Sequence, residues 1–414
     1  MSAIEMGDRG RGEQAGAGMR EAPAEGARRP DAGDAHRRYQ LERLLGARFV
    51  AGNRIERLRN GDEIFPAMLA AIRGAERCID FLIFNFMAGP LAERFADAFA
   101  ERARDGVAVR LLIDAFGGGL MPRRLVRQMR DAGVDVAWFR PPRPWRPFKA
   151  AHRTHRKVMV VDNAVGFTGG VGIAELWTGY ARNPSEWRDS HFRVRGPALI
   201  GLEAAFWGNW LEARNDRVQT LSAAPAPPPA GEAAVMILRP AASIGWNEAS
   251  ALFWGMCEVA ERRIAITTPY FNPDVATRRA LKRAADRGVE IDIVVPGPHI
   301  DTVASALLAH EAEQQLVKLG IRVWEYEPTM IHVKQILVDD DLACVGSVNL
   351  NQRSRRRDDE VALLVEDGIF PATLWRDFHN DRDRSMLVTE EVLRRRSIGR
   401  RMAAVLVRPL RHEI

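Results

Sequence analysis

Apolar positions along this chain change period in a regular order, and that order occurs twice. Arg77-Cys-Ile-Asp-Phe-Leu-Ile-Phe-Asn-Phe86 is a short, nearly continuous apolar run of strand length, and Arg263-Ile-Ala-Ile-Thr-Thr-Pro-Tyr-Phe271 is its counterpart. Helical spacing follows each run. Leu91, Phe95, Ala98, Phe99 and Ala103 share one face over 91–104, and a second helical pattern covers 275–287. Gly106 and Gly288 stand where these helices should end. Residues 107–114 and 289–296 then predict strands. Another helix follows in each half, ending at Gly133 or Gly320, and then the strands 134–140 and 321–327. Strand, helix, strand, helix, strand, given twice, predicts an α/β chain of two similar halves, each a mixed or parallel sheet covered by helices.

Two stretches interrupt the pattern. Residues 1–38 are rich in Gly, Pro and charge and poor in large apolar side chains, so they are expected to be disordered. Ser222-Ala-Ala-Pro-Ala-Pro-Pro-Pro-Ala-Gly231 reads as a stiff, extended linker over 222–232. The expected organisation is a first domain over 39–221, a second over 233–385, and a basic tail over 386–414. At 414 residues and 46% hydrophobic content, two domains with their own cores are affordable in chain length. No apolar run approaches the roughly 18 residues of a membrane-spanning helix. The N-terminal residues lack the apolar core of a secretory signal. Cys78, Cys257 and Cys344 are too widely spaced for a zinc site or a disulfide framework. A cytoplasmic protein is expected. The net charge of +6 adds only that an anionic partner, membrane or nucleic acid, is compatible.

The chemistry lies after the third strand of each half. His155-Arg-Lys157-Val-Met-Val-Val-Asp162 is matched 177 residues later by His332-Val-Lys334-Gln-Ile-Leu-Val-Asp339, and small-residue turns follow at Gly169-Gly170 and Gly346-Ser347. By average residue usage, one His-x-Lys-x4-Asp arises by chance in roughly a few per cent of chains this long, so two copies in register with a repeat are no coincidence. Alternation along a strand places His155 and Lys157 on one face, and likewise His332 and Lys334, while the apolar runs 158–161 and 336–338 suit a buried strand. If the halves meet about a pseudo-two-fold axis, two imidazoles and two ammonium groups converge. Such a site suits an anionic phosphodiester whose charge grows in the transition state. No His/Cys/Asp cluster has metal-ligand spacing, so neither a metal nor a cofactor is expected.

These motifs resemble the phospholipase D superfamily, and within it the bacterial cardiolipin synthases that lack transmembrane helices. The likeness runs over about residues 50 to 385 and is supported by Thr268-Pro-Tyr-Phe271, Val295-Pro-Gly297 with Asp301, Trp187-Arg-Asp189-Ser-His191, and Gly346-Ser-Val-Asn349-Leu-Asn-Gln-Arg353-Ser354. The resemblance implies two pseudo-symmetric phospholipase D-type domains with one active site at their interface. It implies a phosphatidyltransferase acting on phospholipid phosphodiesters through a phosphohistidine. His155 takes the nucleophile's position and His332 that of the acid and base. Lys157, Lys334 and Asn349 take phosphate-binding positions. Asp189 and Glu360 match the acids that orient the histidines, and Asp162 and Asp339 complete the set as structural supports. Two positions depart from the family pattern: Gly172 stands where the first half should carry an Asn, and Asp358 where an Asn precedes the second acid.

Weaker signals surround this set. His191 lies near the first motif, as lining of the cleft or as a structural histidine; His152 and His299 have no assigned role. Arg353, Arg355, Arg356 and Arg357 suit either lipid headgroups or a solvated loop. Trp145 and Phe148 are candidates for an interfacial loop. The arginines around 402–407 make a basic amphipathic segment suited to an anionic phospholipid membrane at its cytoplasmic face. No obligate protein partner is implied. A hydrolase of phospholipids or a nuclease shares the scaffold, but the chain has no aromatic-interleaved basic stretch of the kind that binds single-stranded nucleic acid. A catalytically dead lipid-binding protein would not need both motifs intact.

Overall fold

The computed structural model describes residues 32–142, 152–214, 226–241 and 247–395. In the first half, β1 (Val50–Arg59) is followed by α2 (Asn60–Arg73), β2 (Cys78–Ile83), α3 (Pro90–Arg104), β3 (Ala108–Asp114), α4 (Arg123–Asp131), β4 (Asp135–Phe139), β6 (Val158–Val161), β7 (Val165–Gly169), β8 (Ser190–Arg195) and α5 (Leu199–Arg214). The second half repeats this order with β9 (Ala233–Leu238), α6 (Glu248–Val259), β10 (Arg263–Thr267), α7 (Val275–Asp286), β11 (Glu290–Pro296), α8 (Val303–Val317), β12 (Arg322–Tyr326), β13 (Gln335–Val338), β14 (Leu342–Gly346), β16 (Ala362–Glu366) and α10 (Phe370–Arg382), and adds the short α9 (Gln352–Arg356) after β14. The repeat expected from the hydrophobic pattern is therefore present, with most strand and helix ends shifted by a residue or two and the runs 77–86 and 263–271 giving strands that stop at Ile83 and Thr267. Gly106 and Gly288 both close their helices with φ of 88°, a conformation that costs glycine nothing.

The two half-sheets are one sheet. Fifteen strands run in the order β17-β12-β11-β10-β13-β14-β16-β9-β1-β8-β7-β6-β2-β3-β4, where β17 is Ser385–Leu387. Apart from β17, each strand left of the β9–β1 seam has its counterpart to the right, and the seam itself is antiparallel. Within this sheet, parallel pairing is confined to β2–β3–β4 and β10–β11–β12, where helices make the crossovers. A short parallel pair, β5 (Arg153–Thr154) with β15 (Asp358–Asp359), ties the halves together a second time.

Burial follows this symmetry. One apolar cluster packs α2 and α3 on the first half-sheet, around Phe65, Phe95 and Phe99. A second packs α6 and α7 on the second half-sheet, around Phe253, Leu281 and Ile293. The other side-chain set of the same strands, Leu82, Val158 and Val160 with Leu337, Ala343 and Leu363, meets α5 and α10 in one cluster that spans both halves. Phe192 and Phe370, one from each half, make an edge-to-face contact with centroids 5.8 Å apart within it.

Some boundaries differ from those read in the sequence. Helix α1 (Ala32–Leu45) begins inside the segment expected to be disordered. Leu41 and Leu45, one turn apart, enter the core of the second half, while Arg37 and Arg38 pair with Asp341 and Glu366. Helix α11 (Glu390–Arg395) lies within the expected tail and buries Leu393. The remainder of the tail from 396, residues 1–31, residues 222–225 of the Pro-rich linker, and the loop bearing Trp145 and Phe148 lie outside the described residues.

Candidate active site

His155 and Lys157 do not lie on a strand. β6 begins at Val158 and β13 at Gln335, so each His-x-Lys forms the extended entry to its strand. The reason is visible in the backbone partners. The His155 N–H donates to the Asp359 carbonyl at 2.9 Å, and the His332 N–H to the Arg188 carbonyl at 2.7 Å. Both partners belong to the opposite half. The chain leaves the sheet ladder where the halves meet, and the motif side chains stand at that junction.

The acids cross the same junction. His155 Nδ1 lies 3.0 and 3.1 Å from the two carboxylate oxygens of Glu360. His332 Nδ1 lies 2.7 Å from Asp189 Oδ2. Each half thus supplies a histidine and the acid that holds the other half's histidine. With Nδ1–H given to the acid, Nε2 is the free lone pair of each ring. Ser354 Oγ donates to Glu360 Oε1 at 2.6 Å, and Ser347 Oγ donates to Oε2. Trp177 Nε1 donates to Asp189 Oδ2 at 3.1 Å.

Burial dominates the electrostatics. It pushes the His155 imidazole down to about 4, with Lys157 and Lys334 helping and Glu360 opposing. It pushes His332 down to about 3, helped by Lys334 against Asp189. Lys157 falls to about 7 and Lys334 to about 8 for the same reason, despite the acids around them. Burial alone would raise Asp189 and Glu360. The imidazole hydrogen bonds and the lysine ammonium groups outweigh it and hold both carboxyls below the usual range. The site without substrate therefore keeps neutral imidazoles against ionised carboxylates, with two ammonium groups that are easily discharged.

Both lysines donate to the carbonyl of their own motif histidine at 2.7 Å. Lys334 Nζ also lies 3.1 and 3.3 Å from the two nitrogens of His332, and Lys157 stands over the Phe84 ring at 5.2 Å. The two imidazoles differ in cover. His332 is ringed by Trp177, Trp187 and Tyr270, whereas His155 meets Phe84 and is the more exposed of the pair, with 12% of its side-chain surface accessible against 5%. Tyr270 is fixed by donating to Asp301 at 2.7 Å.

The remaining expected residues fall into place unevenly. Asn349 is buried beside Lys334 in one pocket, and its Oδ1 has no hydrogen-bond partner. Asp162 and Asp339, which complete the motifs, sit at the far ends of β6 and β13 from the histidines. Asp162 accepts from the N–H groups of Glu76, Arg77 and Cys78, and Asp339 from those of Glu261, Arg262 and Arg263. They staple the start of β2 and β10 and do not enter the cleft. Gly172 has no room for the Asn its position suggests, because a Cβ there would meet Asn85 at 2.7 Å and the Trp177 ring at 3.0 Å. Asp358 is buried beside Arg353, with Oδ1 unpaired, and burial pushes it up to about 7. His191 is buried and pushed down to about 3 by burial. Arg355 is neither headgroup contact nor solvated loop: it is buried and paired with Asp274 at 2.6 Å.

Sequence reasoning did not find Trp177 or the crossing of the acids between halves, and although Phe84, Ser347 and Ser354 lay inside quoted stretches, it gave them no role at the site. Tyr270 and Trp187 were inside quoted motifs, but their position over His332 follows only from the fold. Among the described residues no group of three or more His, Cys, Asp or Glu is arranged to hold a metal ion.

A doubled sheet with one His-Lys set from each half and crossed acids defines an enzyme of the phospholipase D superfamily. Comparison with known proteins is more specific. The chain belongs to the family described as cardiolipin synthase, PLD-like domain, whose model matches residues 68–176 and 256–382. Cardiolipin synthase A of Pseudomonas aeruginosa is 34% identical over 381 residues, covering 89% of this chain and 76% of that protein. The enzyme of the same name from Pseudomonas syringae is 32% identical over 396 residues, covering 94% and 81%. Among solved structures, phosphatidylserine synthase from Haemophilus influenzae superposes with a TM-score of 0.68 over 92% of this chain and all of that one, at 16% identity. Polyphosphate kinase from Porphyromonas gingivalis superposes with a TM-score of 0.52 at 12% identity over 82% of this chain and 49% of that one. These two show the shared fold. The chain is a phosphatidyltransferase of the phospholipase D type.

Proposed function

We propose that this phosphatidyltransferase makes cardiolipin or a related lipid. It takes a phosphatidyl group from phosphatidylglycerol or another phospholipid and gives it to a lipid alcohol. The crossed His–acid pairs carry this reading, because they put two oriented imidazoles and two ammonium groups in one cleft. His155 Nε2 attacks phosphorus and forms the P–N bond. The P–O bond to the first alcohol breaks, and that oxygen takes a proton from His332. The second alcohol then gives its proton back to His332, attacks the phosphohistidine and releases His155. His155 suits the nucleophile because its ring is the more exposed, and the aromatic collar of His332 suits a group that only moves a proton. Lys157, Lys334 and the Asn349 amide hold the phosphoryl oxygens, and Glu360 and Asp189 orient the rings. Residues 39–221 and 233–385 each contribute one half of this site.

No helix among the described residues is long and apolar enough to cross a membrane. We place the enzyme at the cytoplasmic face of the inner membrane, reaching its substrates from the surface.

The test is mass spectrometry of lipids after incubating the purified protein with liposomes of phosphatidylglycerol and phosphatidylethanolamine. New cardiolipin that is lost in His155→Ala establishes the transfer. Phosphatidic acid alone makes water the acceptor and the enzyme a phospholipase. Unchanged lipid with every donor pair overturns the proposal.

A further inference from the structure

The loops around the two imidazoles expose large apolar side chains. Phe116 and Leu120 are 74% and 70% accessible in the loop after β3. That loop is anchored beside the first motif: Asp114 accepts from the N–H of Phe116, Gly117 and Thr154, the last being the neighbour of His155. Tyr180 is exposed three residues beyond Trp177, the ring packed on His332. Val275 opens α7, five residues beyond Tyr270, which also packs on His332. Val303, 77% accessible, opens α8 two residues beyond Asp301, the partner of Tyr270. Strand direction gives the same answer. In the first half the C-terminal ends of β2 and β3 share one end with the N-terminal end of β6, in the second those of β10 and β11 share one end with that of β13, and the crossed contacts His155–Glu360 and His332–Asp189 bring these two ends together. The contributions come from both halves, on separate loops encircling one mouth.

Isolated exposed apolar residues need no explanation, but several around a substrate entrance mark an interaction surface. Exposed cations are interleaved with them. Arg123 follows Leu120, Arg279 follows Val275, and the Arg182 guanidinium stands 4.5 Å over the Tyr180 ring. Apolar tips backed by arginine suit the boundary of an anionic bilayer, where the tips enter the acyl region and the guanidinium groups meet lipid phosphates. A protein seated on the same surface would close the mouth, whereas a bilayer presents the substrate to it.

We propose that this end of the molecule docks on an anionic lipid bilayer through Phe116, Leu120, Tyr180, Val275 and Val303, with Arg123, Arg182 and Arg279 on the headgroup phosphates. The orientation sets the active-site mouth against the membrane, and it rests on the reading that the substrate is a membrane lipid.

The experiment uses the full chain and vesicles of phosphatidylglycerol and phosphatidylcholine. Flotation and lipid turnover are compared for wild type, Phe116→Asp/Leu120→Asp, Val303→Asp and the control Ile369→Asp. Ile369 is equally exposed but lies at the opposite end, where β16 leaves the sheet. The rim variants should lose at least tenfold in vesicle binding and in turnover on vesicles, yet keep wild-type turnover of a short-chain phosphatidylglycerol dispersed as monomers. The control should bind as wild type. Rim variants that bind vesicles as wild type does, or a control that loses as much as they do, would overturn the docking face. Vesicle binding that depends on the rim, without phosphatidyl transfer by wild type, would instead overturn the reaction and leave the docking face standing. A second measurement avoids charge at the rim. Leu120→Cys bearing a polarity-sensitive fluorophore, with Cys78→Ala so that only buried thiols remain elsewhere, should shift to the blue on these vesicles. An unshifted spectrum on bound protein contradicts the orientation.

Discussion

Burial lowers the proton affinity of four side chains in the cleft, two imidazoles and two ammonium groups, and an anion reverses that. A phosphodiester bound as proposed between Lys157 and Lys334 would add its negative charge to that of Glu360 and Asp189, and so raise the lysines' affinity for protons. It also offsets part of what keeps His332 neutral, burial first and Lys334 second, so that under the proposed mechanism His332 would gain its proton as substrate arrives. The sign follows from the depressed values of about 7 and 8. Anion binding is strongest below them and weakens as pH rises through them, while protons are taken up on binding. Calorimetry of a non-hydrolysable phosphodiester at pH 8, in two buffers of different ionisation heat, should show net proton uptake that diminishes at pH 6. The orienting acids make a separate prediction. Glu360→Gln keeps the shape but cannot hold His155 in the required tautomer as a carboxylate does, so kcat should fall by roughly 10²–10⁴-fold. The variant's melting temperature should show whether the fold is retained.

At the scale of elements, the motif aspartates show that one sequence signature contains two unrelated devices. His-x-Lys faces the cleft, while the Asp ends the strand in a left-handed turn, with φ of 55° at Asp162 and 50° at Asp339, and gathers three backbone N–H groups of the neighbouring strand's start. Asp339 is buried, so Asp339→Ala strands those donors and should cost about 3 kcal/mol. Below the melting temperature kcat should stay within a few-fold of wild type, as paired denaturation and turnover measurements would show. The elements themselves were legible where a period was strong. The runs at 77–86 and 263–271, the helices after them, and the terminating glycines of each all appear where the pattern placed them. Helix α1 was not legible, because its few large apolar residues, Leu41, Leu44 and Leu45, sit at its C-terminal end and their partners lie in the other half, far along the chain. The entry of His155 and Lys157 into the cleft off the strand was not legible either. It depends on the Asp359 carbonyl across the junction, which no local pattern reports. Nor does Gly172 disclose that Asn85 and the Trp177 ring crowd the space a side chain there would need.

For the whole molecule, the junction between halves is both scaffold and site. Behind Asp189, the fully buried Arg188 of the first half pairs with Asp381 of the second at 2.9 Å and donates to the Asp189 carbonyl at 2.6 Å. A buried pair of this kind tolerates the loss of neither partner. Because one chain holds both crossed pairs, a mixture of His155→Ala and His332→Ala chains should stay inactive. Recovery to even a few per cent of wild-type turnover would mean that sites are shared between chains.

The antiparallel seam of β1 against β9 has an implication for ancestry. Were the two halves identical, the same edge strand would meet itself about a dyad, which is the isologous contact of a C2 homodimer. In such a dimer each histidine would already rest on an acid supplied by the other subunit. Joining two copies end to end would preserve every catalytic contact and release the copies to diverge. The aromatic collar that only His332 wears and the amide that only Asn349 supplies are divergences that a symmetric pair of subunits has no means to acquire.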